Sequence, residues 1–180
     1  MLCQTHHASY LEWIPRSYLT RCRSARVPFD WTLNPYRGCV FGCRYCYARY
    51  THDYLELDPL EQFERKIFAK AVLTPILRAD LRKLQPGQWL AIGTATDPYQ
   101  PIELRLRVTR TILAELAQLR GLRVSLTTKS TLIRRDLDIL QELARRHSLV
   151  VSFTITTMDP DLARRLEPRA PHPKSRMAVV

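Results

Sequence analysis

No stretch of this 180-residue chain approaches the roughly 20 consecutive apolar residues that a membrane-spanning helix needs. The opening residues, MLCQTHHASYLEWIPRSYL, lack the basic-then-apolar order of a secretory signal peptide. The expectation is a cytoplasmic protein with no membrane attachment. Acidic residues are also scarce. Seventeen face 28 basic ones, for a net charge of +11, and only five of the basic residues are lysines. Such an excess favours polyanionic partners, nucleic acid among them. Yet Arg134, Arg135, Arg145, Arg146, Arg164 and Arg165 fall on segments that read as helices, where solvated faces account for them equally well. A hydrophobic content of 46% with 25% charged residues fits one globular domain with a core of its own.

Residues 1–30 show little periodicity and read as an irregular leader, with the main domain spanning residues 31–180. Trp31 to Leu33 is short and extended, and a helix is expected from Tyr45 towards Tyr54. A further helical stretch from about Leu60 to Leu84 is interrupted near Pro75. After the turn Gln85-Pro86-Gly87 come a strand over Trp89 to Thr94, a helix over Ile102 to Leu119 closed by Gly121, and a strand over Arg123 to Lys129. Ser130 suits the cap of a helix whose apolar face is Ile133, Leu137, Leu140 and Ala144. Leu149 to Thr156 reads as a fourth strand, and Asp159-Pro160 as the start of a last helix carrying Leu162 and Leu166. This alternation predicts an α/β fold of about four parallel βα units, with its chemistry at the carboxyl ends of the strands.

The densest feature is NPYRGCVFGCRYCYARY, where Cys39, Cys43 and Cys46 form Cys-x3-Cys-x2-Cys. In a reducing compartment, clustered thiols are metal ligands or catalytic groups more often than disulfides. Cys3 and Cys22 stand apart and read as incidental. Three thiolates on one tight loop suit three irons of a [4Fe–4S] cluster, or three positions on zinc. Zinc in a structural role wants a fourth ligand, for which His52 is the nearest candidate, at a spacing that matches no common zinc knuckle. A three-cysteine cluster instead leaves one iron open. Gly38 and Gly42 supply the unusual dihedrals that folding round a cluster requires, and backbone amides aimed at its sulfides would stabilise its charge.

The cysteine spacing, with an aromatic before the last cysteine, closely resembles the radical S-adenosylmethionine (SAM) enzymes. NPYRGC, CYAR, TATDPYQPIE, TTKS and TTMDPDLARRLEPRAP, in order from about Arg21 to Pro173, resemble its spore photoproduct lyase-like branch. The resemblance implies a partial parallel (β/α) barrel with Cys39, Cys43 and Cys46 as metal ligands. It implies as cofactors a [4Fe–4S] cluster and SAM, whose reductive cleavage yields a 5′-deoxyadenosyl radical that abstracts a substrate hydrogen. It also implies an electron donor such as flavodoxin or ferredoxin. By the same resemblance Tyr45 packs near the adenine, Lys129 meets the SAM carboxylate, and Thr96 and Ser152 are hydroxyls touching the cofactor.

Two departures qualify the resemblance. Spore photoproduct lyase carries a hydrogen-donating cysteine two residues before the position of Thr96, where this chain has Thr94, so photoproduct repair by the same route is not expected. Relatives continue past the EPRAP segment, so the chain reads as C-terminally truncated with its fourth strand left as an apolar edge. The alternative reading is a non-catalytic iron–sulfur or zinc module, an inactive remnant. A third is a nucleic-acid-binding protein with a structural metal.

Overall fold

The computed structural model describes residues 1–180. Its elements, in chain order, are β1 (Cys3–Gln4), β2 (Ser9–Trp13), β3 (Leu19–Arg21), β4 (Trp31–Leu33), β5 (Tyr36–Arg37), a 3-10 helix (Tyr47–Leu55), β6 (Lys66–Lys70) and α1 (Thr74–Leu81). There follow β7 (Trp89–Ile92), α2 (Glu103–Leu106), α3 (Val108–Leu116), β8 (Arg123–Thr128), a second 3-10 helix (Thr131–Asp136), α4 (Leu137–Arg146), β9 (Ser148–Phe153), α5 (Pro160–Leu166) and α6 (Pro173–Met177). The main sheet runs β3-β4-β7-β8-β9, with β4, β7, β8 and β9 parallel and β3 antiparallel at one edge. These four parallel strands and the segments that follow them are the expected βα units of a partial barrel.

Alternation along the strands separates two faces. Leu33, Leu90, Ile92, Val124 and Leu126 are buried in one core cluster with Ile112, Leu113, Leu116, Leu140 and Leu143 of the covering helices. The opposite face carries smaller side chains: Thr32, Ala91, Ser125 and Val150 lie in one row of partners, and Thr127 faces Ser152 in the next. Val150 on the edge strand β9 is 57% exposed.

Five expectations about the elements are corrected. Residues 1–30 are not irregular. They contribute three strands, with β2 pairing parallel to β6 in a second sheet of order β1-β2-β6-β5, and β3 pairing with β4. The expected helix over 60–84 holds strand β6 and the shorter helix α1. Ile67 and Ala69 are buried in β6 because the leader presents an extended partner, and that long-range pairing overrides local helical spacing. The segment after the cysteines is a 3-10 rather than an α-helix. A 3-10 turn at Thr131–Asp136 also shifts the helical register, so Leu137 and Ala144 are exposed while Leu140 and Leu143 are buried.

The expected helix over 102–119 is broken at Arg107, whose φ is 52°. Glu103 explains the break. Its carboxylate, fully buried, accepts from the backbone N–H groups of Thr109 (3.0 Å) and Arg110 (3.2 Å), capping α3 from within α2. It also accepts from Tyr36 Oη and pairs with Arg135 at 3.0 Å. This single acid ties the β5 strand, two helices and the turn after β8 together. Arg135 keeps its second partner, Asp136 at 2.8 Å, but Glu103→Ala leaves two helix donors and the buried Tyr36 hydroxyl unpaired, and is expected to cost about 3–5 kcal/mol of stability, read by urea unfolding at pH 7. A loss below about 1 kcal/mol would contradict the assignment.

Candidate metal and cofactor site

The cysteine loop leaves β5 at Gly38, where φ is +81° and an added Cβ would lie 2.7 Å from the Phe63 carbonyl and 2.9 Å from that of Lys66. Only glycine fits there. The Gly38 carbonyl accepts from Thr96 Oγ1 (2.6 Å) and Gln100 Nε2 (3.2 Å), and Gln100 Oε1 accepts from Val40 N at 2.8 Å. From the far end of the chain, Arg169 donates through Nε to the Val40 carbonyl at 2.6 Å and through its backbone N–H to that of Phe41 at 3.3 Å. Arg49 reaches the Cys43 carbonyl at 3.3 Å. Glu64 pairs with Arg49 and Arg169, each at 2.9 Å, and so fixes both arginines.

Held in this way, Cys39, Cys43 and Cys46 line one cavity of about 470 Å³ at the carboxyl ends of the parallel strands. Thr96, Lys129 and Tyr45 line it too, with Phe29, Phe41 and Asp97. All five cysteines are free thiols. Two of the three, Cys39 and Cys43, are buried. Burial pushes the Cys43 thiol up to about 11, and that of Cys39 further in the same direction, against a smaller lowering influence of the Phe41 and Asp97 backbone. A metal ion reverses this balance, because a coordinated thiol is deprotonated. No group of three or more His, Cys, Asp or Glu side chains converges on a single-ion site. A cubane cluster does not require such convergence, since each thiolate binds its own iron. The three thiols on one cavity and the glycine at the turn, where a Cβ would clash, fit a cluster.

His52 takes no part. It is fully buried behind Gly38, bonded through Nε2 to the Lys66 carbonyl (3.0 Å) and packed on Phe63, and it does not line the cavity. The zinc set that included it is therefore not assembled. Ser152 also stands outside the cavity. It is exposed on β9 opposite Thr127, while Thr127 and Thr154 reach the lining. Thr96 reaches the cavity, but its hydroxyl proton is given to the Gly38 carbonyl, so its first task is to hold the loop.

Lys129 directly follows β8, with its ammonium 5.7 Å from the centre of the Tyr45 ring and 3.8 Å from Glu167 Oε1. Glu167, in the EPRAP segment, went unassigned as a site residue from sequence. Its side chain is 1% exposed, pairs with the equally buried Arg176 at 2.6 Å, and accepts from Tyr45 Oη and from Thr156 (2.8 Å). Burial alone would raise this carboxyl, but the Tyr45, Arg176 and Thr156 hydrogen bonds outweigh it and hold it below the usual carboxylate range. Asp97 works from the other side, accepting from Thr128 Oγ1 and Lys129 N, each at 2.7 Å, and from Tyr99 N at 2.9 Å. These acids locate Lys129 and Tyr45 on the rim. Their burial, which turns a common residue type into a fixture, has no signature in sequence.

The sequence profile of the Radical SAM superfamily matches residues 33–180. The chain belongs to that superfamily. The uncharacterized protein Rv2578c of Mycobacterium tuberculosis is 39% identical over 158 residues, covering 87% of this chain and 46% of that protein. An uncharacterized protein of Methanocaldococcus jannaschii, MJ0683, is 28% identical over 147 residues, 82% of this chain and 52% of that one. The chain thus spans about half the length of the curated relatives it matches. Among solved structures, spore photoproduct lyase complexed with dinucleoside spore photoproduct superposes with a TM-score of 0.68 at 15% identity, over 94% of this chain and 46% of that one. A variant of the same enzyme with bound AdoMet and the dinucleoside gives 0.67 at 14% identity, with the same coverage. The chain therefore shares the fold of about half of spore photoproduct lyase.

Two outcomes test this construction. Gly38→Ala forces a left-handed Cβ against two backbone carbonyls and is expected to lower stability by about 2 kcal/mol or more, with iron uptake on reconstitution reduced. Iron content equal to the native protein's would contradict the fit. For Glu167, a carboxyl held low in the folded state adds stability above its ordinary value of 4.5, and that stability is lost as pH falls below it. Urea midpoints measured from pH 6 to pH 3 should therefore fall more steeply for the native protein than for Glu167→Gln. Parallel profiles would contradict the ion-pair assignment.

Proposed function

We propose that this chain is the cofactor-binding part of a radical SAM enzyme, with Cys39, Cys43 and Cys46 as the three ligands of a [4Fe–4S] cluster. The observation that carries this reading is the gathering of the three thiols with Lys129, Tyr45 and Thr96 around one cavity at the carboxyl ends of the parallel strands. When bound, the cluster and SAM supply one-electron reductive cleavage to methionine and a 5′-deoxyadenosyl radical for hydrogen abstraction.

The chain's own residues bind, orient and shield. Lys129 presents a cation to the SAM carboxylate, and Glu167 with Tyr45 sets its position. Thr96 keeps the loop at its height above the sheet. Phe29 and Phe41 line the cavity with apolar surface, which limits water near a reactive radical. The Thr94 hydroxyl accepts from Asn34 Nδ2 at 3.1 Å, and a hydroxyl is a poor hydrogen-atom donor compared with a thiol. A reaction other than photoproduct repair follows from that. The substrate is unknown, with nucleic acid suggested by the net charge of +11 and by the dinucleoside bound in the structural relatives. Flavodoxin or ferredoxin is the proposed electron source, and the reducing cytoplasm the compartment that suits the free thiols. No helix of the chain is long and apolar enough to cross a membrane.

Anaerobic reconstitution followed by an assay for 5′-deoxyadenosine with SAM and dithionite tests the proposal. The native chain should form the nucleoside, Cys43→Ala should form none, and Lys129→Met should need roughly tenfold or more SAM for the same rate, as expected for a lost charged hydrogen bond. A colourless zinc-loaded protein, or a cluster that yields no nucleoside, would overturn it.

A further inference from the structure

A second cavity, of about 500 Å³, lies between the two sheets and is lined in part by strands of the N-terminal leader. It shares Val27, Phe29, Tyr47, Thr94 and Ala95 with the cluster cavity, so the two spaces meet along that border. Its lining includes two cations close enough for the Arg37 charge to act on the Lys70 ammonium. Lys70 is 94% buried by its relative exposure of 6%, and Arg37 is half-buried. Both lie against one indole: the Arg37 guanidinium is 4.4 Å, and the Lys70 ammonium 5.7 Å, from the centre of the Trp13 ring. Neither forms an ion pair with a carboxylate. The acid whose charge acts on Lys70 is Asp80, which is taken up by Tyr18 N (2.6 Å), Ser17 Oγ (2.9 Å) and Lys83 (2.5 Å). The Lys70 ammonium donates one hydrogen bond, to the Tyr18 carbonyl at 3.1 Å, and lies 5.6 Å from the centre of the Tyr18 ring.

Two like charges facing a cavity without a counter-ion are costly, and removing such a charge is normally neutral or stabilising. A cost of this kind is retained where a ligand supplies the missing charge. We infer that the Trp13–Arg37–Lys70 cavity is an oxyanion site, built to take the phosphate- or carboxylate-bearing end of a ligand. The guanidinium fork and the ammonium offer donors to the oxyanion. The aromatic rim, with Phe29, Tyr47, Tyr50 and Tyr54, suits a flat or apolar remainder leading towards Thr94 and the cluster cavity. The site stands on its own geometry, and its use as a substrate anchor rests on the radical chemistry proposed above. Burial, and then the neighbouring Arg37, bring the Lys70 ammonium down to about 8, against the smaller opposing influence of Asp80. Anion binding should therefore weaken above that pH.

Calorimetric titration of the full chain, without cluster, tests the site independently of any activity. Sulfate and acetate are the probes, each at constant ionic strength in chloride. The native protein should bind one sulfate or one acetate saturably. Sulfate preferred over acetate indicates a phosphate-like ligand, and the reverse a carboxylate; either supports the site. Lys70→Met and Arg37→Gln should each weaken binding by about tenfold or more, while Arg120→Gln, which removes an exposed charge elsewhere, should leave it unchanged. Native affinity should fall as pH rises through about 8, and that of Lys70→Met should stay level. Should Lys70→Met fail to fold, Arg37→Gln carries the test. Absence of saturable binding, or equal weakening by all three variants, would overturn the inference.

Discussion

Four carbonyl oxygens of the cysteine loop, those of Gly38, Val40, Phe41 and Cys43, accept hydrogen bonds from donors outside the loop. Three of the four donors come from distant parts of the chain, Thr96 and Gln100 after β7 and Arg169 after α5, while Arg49 reaches back from the adjoining 3-10 helix. With its carbonyls tied outward, the loop has its thiols on the cavity side. A loop with few local contacts gains its geometry from these long-range bonds, and each would be costly to leave unmade in a buried setting. The sheet order brings the donors together, because the segments after β7, β8 and β9 all emerge at the carboxyl ends of the strands.

Buried charge organises the same end of the molecule at two depths. Deep in the fold, Glu103 gathers Tyr36, Arg135 and two amides of α3. Nearer the cavity, Glu167 gathers Tyr45, Thr156, Lys129 and Arg176. Both acids have their charge matched, which is the condition under which buried ions are tolerated. Lys70 and Arg37 break that pattern. The contrast within one small domain is what distinguishes a binding site from a structural network.

The parallel strands were legible because Val124 and Leu126, or Leu90 and Ile92, form short apolar runs between polar turns. The helix after β8 was legible in its existence, but not in its buried face, since a 3-10 turn resets the register before Leu137. Strand β6 was misread because its partner β2 lies more than fifty residues away in a leader without obvious periodicity. The cysteines, Tyr45, Thr96 and Lys129 could be picked out by motif and are gathered in one cavity, while Ser152 lies two residues short of Thr154, which lines it. What could not be read were the fixtures behind them. Glu64, Gln100, Glu167 and Arg169 are ordinary polar residues until the fold buries them.

The account depends most on three thiols holding a cluster whose fourth iron is free to take SAM. Electron paramagnetic resonance of the anaerobically reconstituted, dithionite-reduced chain, recorded before and after adding SAM, tests this most directly. A reduced [4Fe–4S] signal that changes shape on addition of SAM, and is absent from Cys43→Ala, is the predicted result. A cluster signal indifferent to SAM, or no cluster signal from the native chain, would contradict the account.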